Sequence, residues 1–238
     1  MWYNKGAMVK ELDLTKVYEK VNGEKREKLS LFQRLLLEYN EKFNLTSITD
    51  EKEIYYKHFI DSAAGESLFK ENASVVEVGS GAGFPSLVLK ILREDLSFTL
   101  VESVGKKCEF LKVAVDKLGL DKMNICNKRA EELARDPIYR EKFDYAVARA
   151  VARMNSLSEY CIPFLKVGGR FIAYKSGDLT EIEEANSAYK VLGAVKKEIY
   201  SYTLTEEYGN RSLAVIEKIK KTPDKYPRGQ GKERKNPL

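Results

Sequence analysis

At 238 residues and 43% hydrophobic content the chain can bury one sizeable core and is no disordered polymer. No apolar run reaches the roughly eighteen residues of a membrane span, Met1-Trp-Tyr-Asn-Lys-Gly6 lacks a signal-peptide core, and Cys108, Cys126 and Cys161 are too scattered for a metal pair or a disulfide framework, so a cytoplasmic protein is expected. The net charge of +5 is unevenly placed: residues 218–238 hold eight Lys/Arg against Asp224 and Glu233, leaving the rest near neutral.

In chain order, the first seventy residues read as helices. Glu24 to Phe43 sets Leu29, Phe32, Leu35, Leu36, Tyr39 and Phe43 on one face. Residues 51–64 repeat the pattern behind Thr49 or Asp50 as N-cap. Asn44, His58 and Asp61 sit beside these apolar faces, where caps and a satisfied helix histidine are the plain reading. Strands are expected at 74–78, 97–102, 123–127, 143–148 and 169–175, and helices at 85–93, 105–118, 130–135, 153–163 and 178–190. The last two apolar runs, 192–203 and 212–216, follow each other without a helix and should form a hairpin. Five βα units closed by an antiparallel hairpin give an α/β fold with a seven-stranded, mostly parallel sheet. The organisation expected is a helical cap at 1–70, a sheet domain at 71–218 and a basic tail at 219–238. That tail reads either as a polyanion contact or as a merely solvated segment.

The stretch Val75-Val-Glu-Val-Gly-Ser-Gly-Ala-Gly-Phe-Pro85 organises the chain: a β-branched run, three alternate glycines, then a helix start. Glycine serves where φ is positive or where a ligand must touch backbone, and the free N–H groups of a helix start favour polar or anionic ligand groups. Glu102, about twenty residues on, is placed to bind a ribose diol. A dinucleotide fingerprint would need glycine where Phe84 stands. The spacing Gly79, Gly81, Gly83 behind Glu77 is instead the form of class I S-adenosylmethionine-dependent methyltransferases, a structural turn being the bland alternative. Ligands in such sheets sit at the carboxyl ends of the strands. Those ends carry Gly79–Phe84, Glu102-Ser103, Arg129-Ala-Glu131, Arg149 and Lys175: carboxylates for ribose and adenine, cations for phosphate or the methionine carboxylate. The single histidine excludes a poly-histidine metal site, and no metal is expected.

These residues resemble a known family. The turn Gly-Ser-Gly-Ala-Gly-Phe-Pro (79–85), Glu-Ser-x-x-Lys-Lys-x-x-Phe-Leu (102–111), Arg-Ala-Glu (129–131), Ala-Arg-Ala-Val-Ala (148–152) and Lys-Ser-Gly (175–177) look like the bacterial small-subunit rRNA guanine-N7 methyltransferases, the glucose-inhibited division protein B family. The runs Asn-Leu-Thr-Ser-Ile (44–48) and Lys-His-Phe-Ile-Asp-Ser (57–62) look like that family's N-terminal signature, and the likeness covers residue 25 to the end. Ser86 stands where the family commonly has glycine, Lys107 where it has arginine, and the tail from Pro227 lacks the usual central proline. The resemblance implies methyl transfer from S-adenosylmethionine to N7 of a guanine (guanine-527) in the decoding-region loop of 16S rRNA. It places the cofactor on Gly79, Ser80, Gly81, Phe84, Glu102, Ala130, Glu131 and Arg149. Around the target it places Asn44, His58, Arg129, Arg149, Lys175 and Arg211; the product base is cationic, which leaves Asp61 or a backbone carbonyl to stabilise it. Guanine N7 loses no proton on methylation, so no residue is assigned as a general base; proximity and orientation carry the rate. The sequence lacks the Asn/Asp-Pro-Pro-aromatic clamp of exocyclic-amine enzymes and a loop cysteine suited to pyrimidine C5. The alternatives are methylation of another RNA, or a non-catalytic RNA-binding assembly factor.

Overall fold

The sheet grows outward from β2 (Ser74–Val78), whose Val75, Val76, Glu77 and Val78 are all buried. A near-continuous apolar run of this kind suits a parallel strand covered on both faces. The computed structural model describes residues 9–23 and 25–238. Met1–Gly6, and Glu24 at the start of the predicted long helix, lie outside the described residues. The strands are β1 (Val9–Glu11), β2, β3 (Ser97–Val101), β4 (Met123–Cys126), β5 (Phe143–Arg149), β6 (Leu165–Ser176), β7 (Ala194–Thr203) and β8 (Asn210–Lys218), in the order β1-β7-β8-β6-β5-β2-β3-β4. Strands β2 to β6 pair in parallel, while β8 runs antiparallel to both β6 and β7. The chain winds one way from β2 to β4, then returns to lay β5 on β2's other edge. That reversal opens a crevice at the carboxyl ends of β2 and β5, where ligands of doubly wound sheets bind.

Alternation along the strands divides the core between the two faces. Val75, Phe98, Leu100, Tyr145, Val147 and Ile172 pack with Leu29, Phe32, Leu36, Ile54 and Phe59 of the N-terminal helices. Val76, Val78, Val101, Ala146, Ala148 and Phe171 pack with Met154, Leu157, Ile162 and Tyr189 on the other side. Twelve of these Val, Leu, Ile, Phe and Met side chains are fully inaccessible, each worth about 1.5–3 kcal/mol of transfer free energy before conformational entropy is charged against it.

Four expectations are corrected. The first seventy residues are not all helical: Val9–Glu11 adds an eighth strand, parallel to β7, in the register Val9↔Ile199. Three residues are too few to display a period-two pattern. The helix over 51–63 is capped by Asp50, whose side chain accepts from Glu53 N–H at 2.9 Å, and its centre, Ile54–Ile60, is a π-helix rather than regular α. The predicted helix 178–190 breaks at Ala185 into Thr180–Glu184 and Asn186–Leu192. Finally, residues 219–238 do not run free: Thr222, Tyr226 and Glu233 are buried, and Arg140 donates to the carbonyls of Tyr226 (2.8 Å) and Thr222 (3.0 Å).

Candidate active site

Gly79 begins the turn after β2 with φ of +71°, and a Cβ there would meet Val151 Cγ2 of the β5 loop at 2.6 Å. Glycine is thus required twice, by backbone conformation and by the approach of the switch-point loops. Gly83, at φ +87°, sits equally tightly against Leu87 in the first turn of the helix Ser86–Leu92. The Gly79 and Ser80 N–H groups donate to Val101 O at 2.8 and 3.2 Å, anchoring the turn to β3. Glu102 then bridges two loops: Oε2 accepts from Gly81 N–H at 2.9 Å and Oε1 from Val104 N–H at 2.8 Å. Each carboxylate oxygen keeps a lone pair for a further donor, such as a sugar hydroxyl.

These loops border a cavity of about 750 Å³. Gly79, Glu102, Arg129, Ala130 and Glu131 line it, as the strand-end reading expects. Val151, Tyr160 and the C-terminal residues Arg228–Gly231 and Arg234 line it too, and the sequence reading had not placed them there. A Gly-Gln-Gly motif after Pro227 was a turn signal that could have found the last of these. Ser80, Gly81, Phe84 and Arg149 do not line the cavity. Ser80 is buried, with its hydroxyl 3.4 Å from Glu77 O. Glu77 itself is wholly inaccessible with neither carboxyl oxygen hydrogen-bonded, and burial pushes its pKa up to about 8, so it is neutral at pH 7.

Phe84 and Arg149 belong to a second cluster, behind the glycine turn. Phe84 stacks on His58 (centroids 4.4 Å apart), tilts against Phe32 (5.0 Å), and lies under the Arg149 guanidinium at 5.0 Å. Arg149 donates to Asp61 Oδ2 at 2.9 Å, to Lys57 O at 2.9 Å, and lies 3.1 Å from His58 Nδ1. Because a guanidinium only donates, Nδ1 is the acceptor and the ring proton sits on Nε2, directed to Thr46 Oγ1 at 3.0 Å. Burial, reinforced by Arg149, lowers the His58 pKa to about 3, so the ring is neutral and engaged at both nitrogens. Asp61 Oδ1 accepts from Tyr202 O–H at 2.8 Å and faces Arg211 Nε at 3.9 Å. The π-helix of residues 54–60 carries His58 and ends at Asp61; such local widening recurs at functional sites.

Two predicted target residues stand apart from this cluster. Asn44 is an exposed left-handed C-cap at φ +51°, its N–H on Asn40 O, as the plain reading had it. Lys175 donates to Ala152 O at 2.9 Å and pairs with Glu181 at 3.2 Å, tying β6 to the β5 loop. No cluster of metal-ligating side chains occurs among the described residues.

A glycine turn pressed against the switch-point loop, a buried acid below it and a carboxylate at the end of β3, on a sheet closed by an antiparallel hairpin, define an S-adenosylmethionine-dependent methyltransferase. The residues fit that cofactor: the Gly79 approach leaves bare backbone on the cavity wall, and Glu102 lines the same cavity with acceptor capacity to spare. A family model described as rRNA small subunit methyltransferase G matches residues 25–211. The chain is 46% identical over 216 residues to the ribosomal RNA small subunit methyltransferase G of Brevibacillus brevis, covering 90% of this chain and 91% of that relative. It is 44% identical over 231 residues to the protein of that name from Lactobacillus johnsonii, covering 95% and 97%. An S-adenosylmethionine-dependent O-methyltransferase from Thermotoga maritima shares the fold at a TM-score of 0.54 and 16% identity, over 79% of this chain and 72% of that one. The chain belongs to the rRNA small subunit methyltransferase G family.

Proposed function

We propose that the protein transfers the methyl group of S-adenosylmethionine to N7 of guanine-527 in 16S rRNA of the small ribosomal subunit, in the cytoplasm. The names of the relatives support rRNA as substrate, and the sequence resemblance supports the base and the atom. The observation that carries the chemistry is the state of His58: it is neutral, with both ring nitrogens engaged, beside an Asp61 occupied by Arg149 and Tyr202. Such a cluster positions and does not abstract protons. That suits a nucleophile whose lone pair is already free and whose attack releases no proton. Rate then comes from alignment of N7 with the sulfonium methyl.

In this reading Gly79, Glu102, Ala130 and Glu131 line the cofactor site, Ser80 and Gly81 hold its turn, and Phe84 and Arg149 support it from behind. His58, Asp61 and Arg211 shape the target side, while Asn44 and Lys175 contribute through the loops they hold. Exposed Lys128, Arg129 and Arg234 give the cavity rim a cationic character suited to phosphate contacts.

The test is methyl transfer from radiolabelled S-adenosylmethionine to small subunits purified from a strain lacking this activity, followed by chemical cleavage at N7-methylguanine. One cleavage in the decoding-region loop is expected. Incorporation elsewhere reassigns the substrate, and cofactor binding without incorporation favours the assembly-factor reading.

A further inference from the structure

The C-terminal segment is built, not draped. Arg228 grips the buried Glu159 with its Nη2 2.7 Å from Oε2, while its own N–H donates to Oε1 at 2.7 Å. Gly229 N–H donates to Oε1 of a second buried carboxylate, Glu233, and Ser156 Oγ donates to Glu233 O at 2.7 Å. Between these anchors Gly229, Gln230 and Gly231 all take left-handed φ, at +77°, +60° and +74°. A glutamine held there carries a conformational cost that persists only where the surroundings over-determine it. Residues 228–234 lie against helix Met154–Cys161 and fall outside the stretch that the family model matches.

What this turn faces decides its role. Arg228–Gly231 and Arg234 line the same cavity as Gly79 and Glu102. Gly229 and Gly231 present peptide planes without side chains, and a Cβ at either would meet nothing within 4 Å. Flat backbone beside Glu102 and Tyr160 is a surface for the planar nucleoside end of the ligand.

We propose that residues 228–234 are a cofactor-binding element, the outer wall over the adenosine end of S-adenosylmethionine, and that cofactor binding fixes this wall in place. The inference rests on the reading of the cavity as the cofactor site. Its basic residues therefore serve two ends: Arg228 holds the wall to the body, while Arg234 meets the cavity.

Backbone hydrogen exchange of the full-length protein, with and without S-adenosylmethionine, tests this without a mutation. Amides 229–234 should slow about tenfold or more, the equivalent of about 1.4 kcal/mol, together with those of 79–81. Protection at 79–81 with none at 229–234 overturns the proposal and leaves the cavity reading intact. Protection at neither overturns the cavity reading itself. Calorimetric titration adds a second readout: Arg234→Ala and a chain ending at Pro227 should each weaken cofactor binding, the truncation by about tenfold or more. Wild-type affinity in both overturns the proposal. Should the truncated chain fail to fold, Arg234→Ala and the exchange pattern decide.

Discussion

The cavity and the Arg149 cluster lie on either side of one glycine turn and handle charge in opposite ways. Around the cavity, Lys128, Arg129 and Arg234 are solvent-facing and Glu102 keeps free acceptor capacity. In the cluster every charged group is already matched: Arg149 to Asp61, Asp61 to Tyr202, His58 to both Arg149 and Thr46. The first region must exchange ligands, so it leaves contacts for the ligand to make. The second must hold a geometry, so it makes its contacts in advance, which is what preorganisation means in energetic terms. Phe84 joins them: its backbone follows the turn, and its ring lies between His58, Phe32 and Arg149.

The largest effect belongs to the turn. Gly79→Asp places a Cβ 2.6 Å from Val151 Cγ2 at a φ of +71°, and adds a carboxylate beside Glu102. Cofactor binding by calorimetry should disappear while the fold, followed by circular dichroism, survives. Retained binding would mean that the ligand does not approach this backbone at all.

Next in size, Asp61→Asn should damage the cluster and spare the cavity. Arg149 and Asp61 are both largely buried, and leaving one charge unpaired costs about 3 kcal/mol. Urea unfolding should report that loss, methyl transfer should fall by orders of magnitude, and cofactor affinity should change little. Equal loss of cofactor affinity would show that the two regions are one site.

Protons separate the regions as well. Glu77, under the turn, has its folded pKa raised from 4.5 to about 8, so its stabilising contribution is complete below about pH 4.5 and lost as pH rises through 8. His58 has its folded pKa lowered from 6.5 to about 3; its contribution is complete above 6.5 and lost as pH falls towards 3. Between 4.5 and 6.5 the two slopes oppose and stability should plateau. From 6.5 to 8 Glu77 acts alone, giving a decline of at most about 1.4 kcal/mol per pH unit. Glu77→Gln should flatten that alkaline limb and leave the acid limb in place. An unchanged alkaline limb would mean Glu77 is ionised in the folded protein.

The regions also differed in how much of them the sequence disclosed. The cavity's inner wall was legible, because a glycine turn, a carboxylate after the next strand and the Arg-Ala-Glu start of a short helix are local signals on consecutive βα units. Its outer wall was not: Arg228–Gly231 reaches the site only by packing on Glu159, a contact 69 residues away in sequence. The cluster's members were legible one at a time, as a helix histidine and a strand-end arginine. Their union was hidden, since it depends on the π-helical widening at 54–60 and on Tyr202 arriving from the final hairpin. The edge strand Val9–Glu11 was missed for a simpler reason, being too short to carry a period.

The smallest change asks whether the cluster is as fully matched as its geometry says. Tyr202→Phe removes one donor from Asp61 Oδ1 and leaves the Arg149 pair on Oδ2 untouched. A hydrogen bond to a charged group is worth about 1.5–3 kcal/mol net; with Arg149 still paired to Asp61, urea unfolding should show a loss at the lower end of that range, with cofactor affinity unchanged. Arg211, 3.9 Å from the same oxygen, is the one neighbour placed to take over. Combining Tyr202→Phe with Arg211→Ala therefore closes a double-mutant cycle. A coupling above about 0.5 kcal/mol would show that both side chains serve one oxygen. Simple additivity would show that Arg211 is independent of Asp61, and so is available to the substrate in a way that Arg149 is not.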